Sequence, residues 1–345
     1  MNPDFNPNQC APNNGNFVGL PFTEESANVI FIPVPWEVTV SYKAGTARAP
    51  ELIRQASYQL DLYDPNVKDA WKLGIYFLPT DLELLNKNDS FREEARKYID
   101  FVEEGHSIET NAPLKNSLKL MNQASEYVNK WVEEQCSFWL NRGKLVTLVG
   151  GDHSTPLGFI RAQAKRHEAF GILHLDAHFD LRNAYEGFEY SHASVFYNAL
   201  KLPEVTQLVS VGIRDYCQDE LDFIQLQKGR VAVFFDEDLR NSQFEGQTFA
   251  SLCDKIIEKL PPKVHLSFDI DALNPHLCPG TGTPVPGGLE FSEVLFLIKR
   301  LVQSGRTIIG FDLVETGTDS EWDGNVAARM LYRISNLMGQ SNKLI

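Results

Sequence analysis

GILHLDAHFD, residues 171–180, begins as an apolar strand and ends in ionisable side chains. Residues 171–175 form a short apolar run of the kind that is typical of a buried strand. Asp176, His178 and Asp180 follow at every second position, and side chains two residues apart on an extended chain point in the same direction. The spacing therefore predicts that two carboxylates and one imidazole converge where a buried strand ends.

Similar apolar runs recur along the chain and alternate with helical segments. Together with 170–176, the predicted strands are 29–34, 144–150, 207–213, 231–235, 264–270 and 307–314. The predicted helices are 49–60, 113–143, 154–167, 247–260 and 292–304. Strands that are apolar on both faces and alternate with helices predict a parallel sheet covered by helices on both sides. We expect one domain over residues 29–345, preceded by an extended or flexible arm of residues 1–28 that is rich in Asn and Pro.

The composition excludes several classes of function. A net charge of −14 over 345 residues argues against nucleic-acid binding, which requires a basic surface. No apolar run approaches the roughly 20 residues that span a bilayer, so no membrane partner is expected. The N-terminus has neither the basic start nor the apolar core of a secretory signal. The five cysteines include no CxxC pair, which argues against a disulfide framework and favours a cytoplasmic location.

Polar side chains also follow three other predicted strands. In open parallel sheets, ligands bind beyond the carboxyl ends of the strands, and these ends meet at one edge. The acids and imidazoles near or after the ends of the other three strands are Asp152 and His153, Asp269 and Asp271, and Asp312 and Glu315. Four strands therefore deliver ionisable groups to the same edge of the predicted sheet.

Four carboxylates cannot be buried together unless cations neutralise them. Two divalent ions would balance four carboxylates, and two neutral imidazoles would complete the coordination. A mixed set of Asp and His suits Mn²⁺, Fe, Co, Ni or Zn better than Mg²⁺ or Ca²⁺. Asp152 and Ser154 could instead cap the following helix, and His174 is expected to be a buried, hydrogen-bonded core residue.

Three segments resemble the signatures of the arginase/agmatinase (ureohydrolase) superfamily, in the same order. They are GGDHS (150–154), DAHFD (176–180) and SFDIDALNPHLCPGTGTPVPGGL (267–289), and the resemblance extends from residue 35 to about residue 330. It implies an arginase-like fold, a three-layer α/β/α sandwich with a central parallel sheet, assembled as a homo-oligomer (trimer or hexamer). It also implies two divalent metal ions, Mn²⁺ or alternatively Ni²⁺. The implied metal ligands are His153, Asp176, His178, Asp180, Asp269 and Asp271.

The resemblance further implies hydrolysis of a guanidino compound to urea and an amine, through attack by a hydroxide that bridges the metals. Asp180 would be the first proton relay, and His192 matches a histidine that could shuttle protons, although it could also be an ordinary loop residue. Glu315 matches the glutamate that pairs with the guanidinium. Gly317-Thr318 departs from the usual sequence after that glutamate, and Asn274 replaces a common aspartate that is not a metal ligand.

The segment SYKAGTARAP, residues 41–50, resembles the agmatinase version of a loop at the mouth of the site. A small cationic guanidino substrate, agmatine first, is therefore expected. Guanidinobutyrate, guanidine, arginine and formimidoylglutamate remain alternatives, as does a family member without catalytic activity. A two-metal phosphoesterase would use similar ligands but should carry Arg or Lys at the edge of the site and lack a glutamate that pairs with a guanidinium. Trp36, Glu37 and Tyr42 could line the pocket, pack in the core or anchor this loop.

Overall fold

Eight parallel strands form one sheet in the computed structural model, which describes residues 5–345. The order across the sheet is β2-β1-β3-β8-β7-β4-β5-β6, and every neighbouring pair is parallel. The strands are β1 Val29–Val34, β2 Ile75–Phe77, β3 Leu145–Gly150, β4 Phe170–Leu175, β5 Val205–Ile213, β6 Val231–Phe235, β7 Lys263–Asp269 and β8 Thr307–Val314. The predicted parallel sheet is confirmed.

Within residues 5–345, ten α-helices surround the sheet. They are α1 Ala49–Ala56, α2 Leu82–Glu103, α3 Ala112–Leu140, α4 Leu157–Ala164, α5 Val195–Ala199, α6 Gln218–Leu226, α7 Asp236–Phe244, α8 Phe249–Glu258, α9 Phe291–Gln303 and α10 Glu321–Ser341. Helices α2 to α5 pack against one another in chain order, and α1, α10, α9 and α8 form a second packed group. On β4, Ile172 packs with α4 and α5, whereas Leu173 and Leu175 belong to the larger cluster that includes α8 and α9. The strand is therefore buried on both faces, as its apolar sequence predicts.

Several elements lie outside the prediction. The seven predicted strands are present, but the three-residue edge strand β2 was not predicted, nor were α2, α5, α6, α7 and α10. Within the predicted arm of residues 1–28, the segment around Asn16 is packed into the core. The side chain of Asn16 accepts a hydrogen bond from the Phe77 backbone N–H and donates to the Ile75 carbonyl, and Phe17 is fully buried. No helix within residues 5–345 is both long and apolar enough to cross a membrane.

The sheet order places the four strands with polar carboxyl ends side by side. Strands β3, β8, β7 and β4 are consecutive neighbours in the middle of the sheet. Because all four run in the same direction, their carboxyl ends meet at one edge, flanked by the remaining strands. The strand order thus shows where on the sheet edge the ionisable groups meet, which the sequence alone does not give.

Candidate metal centre and active site

His153 lies on the tight turn that follows β3. A Cβ at Gly151 would lie 1.9 Å from the Trp36 carbonyl oxygen, so only glycine permits this close approach of the two backbones. The Gly151 and Asp152 backbone amides donate to the carbonyls of Val34 and Trp36. The turn is thereby fixed against the segment after β1, and the His153 side chain is buried beyond the end of the sheet.

Three carboxylates converge on one nitrogen of His153. Its Nδ1 lies 2.9 Å from Asp176 Oδ2, 3.0 Å from Asp180 Oδ2 and 3.3 Å from Asp269 Oδ2. All three aspartates are at most 6% exposed. Nδ1 nevertheless has no hydrogen-bond partner with acceptable geometry among residues 5–345. Buried anions at this density require neutralising positive charge.

A second group of ligand atoms shares Asp176 with the first. His178 Nδ1 lies 3.1 Å from Asp271 Oδ2 and 3.5 Å from Asp176 Oδ1. Asp176 thus directs Oδ2 towards His153 and Oδ1 towards His178. The structure brings all six predicted ligand residues together, with one carboxylate between the two groups.

The candidate ligands after β4 and β7 converge through the shape of their loops, and not because side chains alternate along an extended strand. Strand β4 ends at Leu175, and Asp180 has a φ of 54°, in the left-handed region. Asp271 lies in a short 3₁₀ helix, Ile270–Ala272, rather than in extended backbone. Hydrogen bonds hold these loops: Asp176 accepts from the His178 amide, and Asp271 accepts from the Ala177 amide. The prediction from two-residue spacing was therefore wrong about the backbone beyond Leu175.

The pKa shifts in this cluster show unbalanced charge. Burial, followed by the charge of Asp176, raises the pKa of Asp180 to about 7. Burial, followed by the charges of Asp271 and Asp176, raises the pKa of Asp269 well above its usual range. Burial alone would lower the pKa of His153, but the three nearby aspartate carboxylates raise it well above its usual range. For the two aspartates burial is the largest cause and neighbouring carboxylates add to it, whereas the pKa of His153 rises because carboxylates surround it.

The donor set fits a pair of divalent metal ions. Two imidazole nitrogens and four carboxylates offer the mixed nitrogen and oxygen ligands that transition metals such as Mn²⁺ or Ni²⁺ accept. His174 also lies within ligand distance of His153 and Asp176. However, both of its ring nitrogens already have partners, Asp176 Oδ2 at 2.8 Å and Ser210 Oγ at 3.1 Å. His174 is therefore the buried, hydrogen-bonded residue that the sequence predicts.

A cavity of about 210 Å³ opens beside this cluster. Glu315 lines it and lies directly after β8, with a φ of 60°. Its Oε1 accepts a hydrogen bond of 2.9 Å from the His153 backbone N–H, which ties it to the turn after β3. Burial, followed by the charge of Asp152, raises the pKa of Glu315 well above its usual range. A bound cation would favour its ionised form, so the geometry suits a guanidinium group.

His192 lines the same cavity from a 3₁₀ helix, His192–Ser194. Burial, followed by the positive charges of His178 and His153, lowers the pKa of His192 to about 3. Its Nδ1 has no hydrogen-bond partner within residues 5–345. The ring is therefore neutral near pH 7, and the low pKa disfavours its protonated form, so the proton shuttle stays a prediction.

Comparison with known proteins identifies the family. The model of the arginase family matches residues 27–336. This chain belongs to the arginase family. It is 30% identical over 326 residues to an N(1)-aminopropylagmatine ureohydrolase of Synechocystis, covering 92% of this chain and 91% of that protein. It is 27% identical over 338 residues to an agmatinase of Neisseria meningitidis, covering 94% of each chain.

The solved structure of the agmatine ureohydrolase of Thermoplasma volcanium superimposes with a TM-score of 0.72. The two chains are 24% identical, and the match covers 96% of each, which confirms the arginase-like fold. The protein is thus an arginase-family ureohydrolase, a hydrolase that acts on C–N bonds of linear amidines. The family depends on a binuclear metal centre, in agreement with the candidate ligand groups of this chain.

The unusual Gly317-Thr318 of this arginase-family chain fits its own loops. A Cβ at residue 317 would lie 2.0 Å from the Gly280 carbonyl oxygen, so Gly317 allows the loops after β8 and β7 to touch. Thr318 Oγ1 donates to the Gly45 carbonyl at 3.3 Å. The Glu315 carbonyl accepts from Thr281 Oγ1 at 2.8 Å. The departure from the common family sequence therefore packs the loop without displacing Glu315. Asn274 is a local change as well, since its side chain accepts a hydrogen bond from the His276 amide.

The three open assignments near the mouth are resolved by burial. Trp36 is buried and packs near Phe91, and Glu37 Oε2 accepts hydrogen bonds from the Gly45 amide and Thr46 Oγ1. Trp36 therefore packs in the core and Glu37 anchors the loop, whereas Tyr42 is 78% exposed. Among the described residues, none of the three lines the cavity; the neighbouring Ser41 does.

Most residues at the mouth of the cavity of this ureohydrolase are not predicted from the sequence. The remaining residues that line the cavity include Arg182, Tyr185, Asp215, Tyr216 and Thr283. Asp215 lies 3.9 Å from His178 Nε2, and its side chain is 69% exposed. Its position two residues after Ile213, the last residue of β5, is the one signal in the sequence, because β5 also ends near the site.

Proposed function

We propose that this ureohydrolase converts agmatine, or an aminopropyl derivative of it, into urea and an amine. The main observation in support is that the six candidate metal-ligand side chains lie beside one cavity, which the buried Glu315 also lines. A guanidinium group is planar and cationic, and a carboxylate is its natural partner. Arg182 also lines the cavity, but the buried carboxylate of Glu315 would repel a phosphate ester, which disfavours a phosphoesterase.

The metal ligands in this proposal are those predicted from the sequence. His153, Asp180 and Asp269 would hold one ion, and His178 and Asp271 the other. Asp176 would contribute to both, because its two oxygens face the two groups. When bound, a pair of divalent ions lowers the pKa of water and makes hydroxide available at neutral pH. Mn²⁺ is the first candidate and Ni²⁺ the second.

Three side chains would act on the substrate. Glu315 Oε2 is free of hydrogen-bond donors from residues 5–345 and would accept from the guanidinium, which orients the carbon towards the cluster. Asp180 lines the cavity beside His153, a position that suits a group that takes up a proton and returns it to the departing amine. His192, which lines the same cavity, would then pass that proton on towards solvent.

The distal end of the substrate would reach the mouth of the cavity. Asp215 and Tyr216 lie there, and an exposed carboxylate beside an aromatic ring favours an ammonium group. Relatives named agmatinase and N(1)-aminopropylagmatine ureohydrolase support both cationic substrates. Guanidinobutyrate, guanidine, arginine and formimidoylglutamate are the other members of the test panel. The homo-oligomer and the cytoplasmic location stay predictions.

A steady-state panel of these six compounds tests the proposal on Mn²⁺-loaded and Ni²⁺-loaded protein. Urea and ammonia are measured for the guanidino compounds, and formamide for formimidoylglutamate. The highest kcat/KM is expected for agmatine or aminopropylagmatine. A higher value for a substrate with a distal carboxylate would overturn the substrate assignment. Absence of urea from every compound on fully loaded protein would overturn the enzymatic proposal.

A further inference from the structure

A row of polar side chains crosses the sheet directly beneath the candidate metal centre. Neighbouring strands align Ser210 on β5 with His174 on β4, His174 with Ser267 on β7, and Ser267 with Asp312 on β8. All four residues are fully buried. Polar groups in the middle of a parallel sheet are costly unless each is hydrogen-bonded, so the row calls for an explanation.

His153 is connected to this row through its second ring nitrogen. His153 Nε2 lies 3.0 Å from Ser267 Oγ, which donates a hydrogen bond of 2.7 Å to Asp312 Oδ1. The other oxygen of Asp312, Oδ2, lies 2.7 Å from His265 Nε2. The chain of contacts thus runs from His153 through Ser267 and Asp312 to His265, away from the cavity.

The direction of these hydrogen bonds decides the form of His153. A serine hydroxyl has one hydrogen, and that of Ser267 is committed to Asp312. Ser267 Oγ can therefore only accept from His153, so Nε2 must carry the hydrogen. A neutral imidazole protonated on Nε2 presents its lone pair on Nδ1, and Nδ1 is the nitrogen that faces the three aspartates.

We propose that Ser267, held by Asp312 and His265, is a positioning residue that fixes the tautomer and ring orientation of His153 for metal binding. The inference rests on the proposed role of His153 as a metal ligand. Without the hydroxyl, His153 could carry its hydrogen on Nδ1 or rotate, and either change removes the lone pair from the metal site. A merely structural role for Ser267 would affect stability and leave metal affinity alone.

Titration of metal-free protein with Mn²⁺ tests the proposal, with calorimetry for affinity and electron paramagnetic resonance for the coupling between the two ions. Ser267→Ala is expected to weaken the binding of one of the two Mn²⁺ ions by about 10- to 100-fold. The resonance signal of two coupled ions should then be replaced by that of a single ion. Ser267→Thr keeps the hydroxyl and should retain two ions. Ser335→Ala, an equally buried serine on α10, is the matched control and should match the parent protein.

Two outcomes separate this proposal from the metal-ligand assignment. If His153→Ala loses one ion while Ser267→Ala binds two with parent affinity, the positioning role is wrong and the ligand assignment survives. If His153→Ala also binds two ions unchanged, the ligand assignment itself fails.

The native protein gives a test that does not depend on a folded variant. In protein loaded with diamagnetic Zn²⁺, the ¹⁵N signals of His153 should show hydrogen on Nε2 and none on Nδ1. Hydrogen on Nδ1 would overturn the proposal.

Discussion

Replacing Glu315 by glutamine should weaken catalysis strongly while leaving the metal ligands intact. In the variant, the amide oxygen keeps the hydrogen bond from the His153 backbone N–H, so the amide NH₂ takes the place of Oε2. A donor then faces the guanidinium, which is itself a donor. Loss of a charge-assisted hydrogen bond costs about 1.5–3 kcal/mol, and leaving a buried donor unpaired costs about 1–3 kcal/mol more. Together these costs predict a fall in kcat/KM of about 10²–10⁴-fold.

The assay is urea release under steady-state conditions, with the metal content of each protein measured in parallel. Glu258→Gln makes the same chemical change at an exposed position at the end of α8 and should leave kcat/KM unchanged. The parent and both variants should bind the same number of metal ions. A Glu315→Gln enzyme within about threefold of the parent, a difference below 1 kcal/mol, would refute the assignment of Glu315 to the guanidinium.

Three further substitutions test other parts of the account. Asp180→Asn should leave the fold intact, as judged by circular dichroism and Tm, and reduce kcat by about 10²–10⁴-fold because the proton relay is lost; near-parent turnover would remove Asp180 from the mechanism. Burial, followed by the charge of Glu103, raises the pKa of Glu186 from 4.5 to about 7, so the folded protein favours the protonated form. Ionisation of Glu186 therefore destabilises the fold increasingly as the pH rises from 4.5 to 7. Glu186→Gln should raise Tm at pH 8 but not at pH 4. An equal change of Tm at both pH values would contradict this reasoning. Gly317→Ala should lower Tm by overpacking worth about 1–3 kcal/mol, because its Cβ would meet the Gly280 carbonyl, and an unchanged Tm would show that the loop yields freely.

The sequence predicted the sheet because its strands are apolar and buried on both faces, which leaves a strong local signal. It did not predict β2, which has three residues, or α10, whose pattern is interrupted by Gly324 and Gly339. The packing of Asn16 against β2 was equally hidden, because it depends on hydrogen bonds to residues about 60 positions away.

The candidate ligands were predicted from polar residues at strand ends, yet their convergence depends on features that local spacing does not encode. The order β3-β8-β7-β4 brings the ends together, and loop backbone such as the left-handed Asp180 aims the side chains. The contact between Ser267 and Asp312 likewise requires the register of β7 on β8. Mouth residues such as Asp215 come from loops whose folding is set by tertiary contacts.

The most direct test of a two-metal ureohydrolase is urea release from agmatine as a function of the Mn²⁺ added to metal-free protein. At protein concentrations well above the dissociation constants, the rate should rise and reach its plateau at two equivalents per chain. A plateau at one equivalent, or a rate independent of added metal, would contradict the central claim.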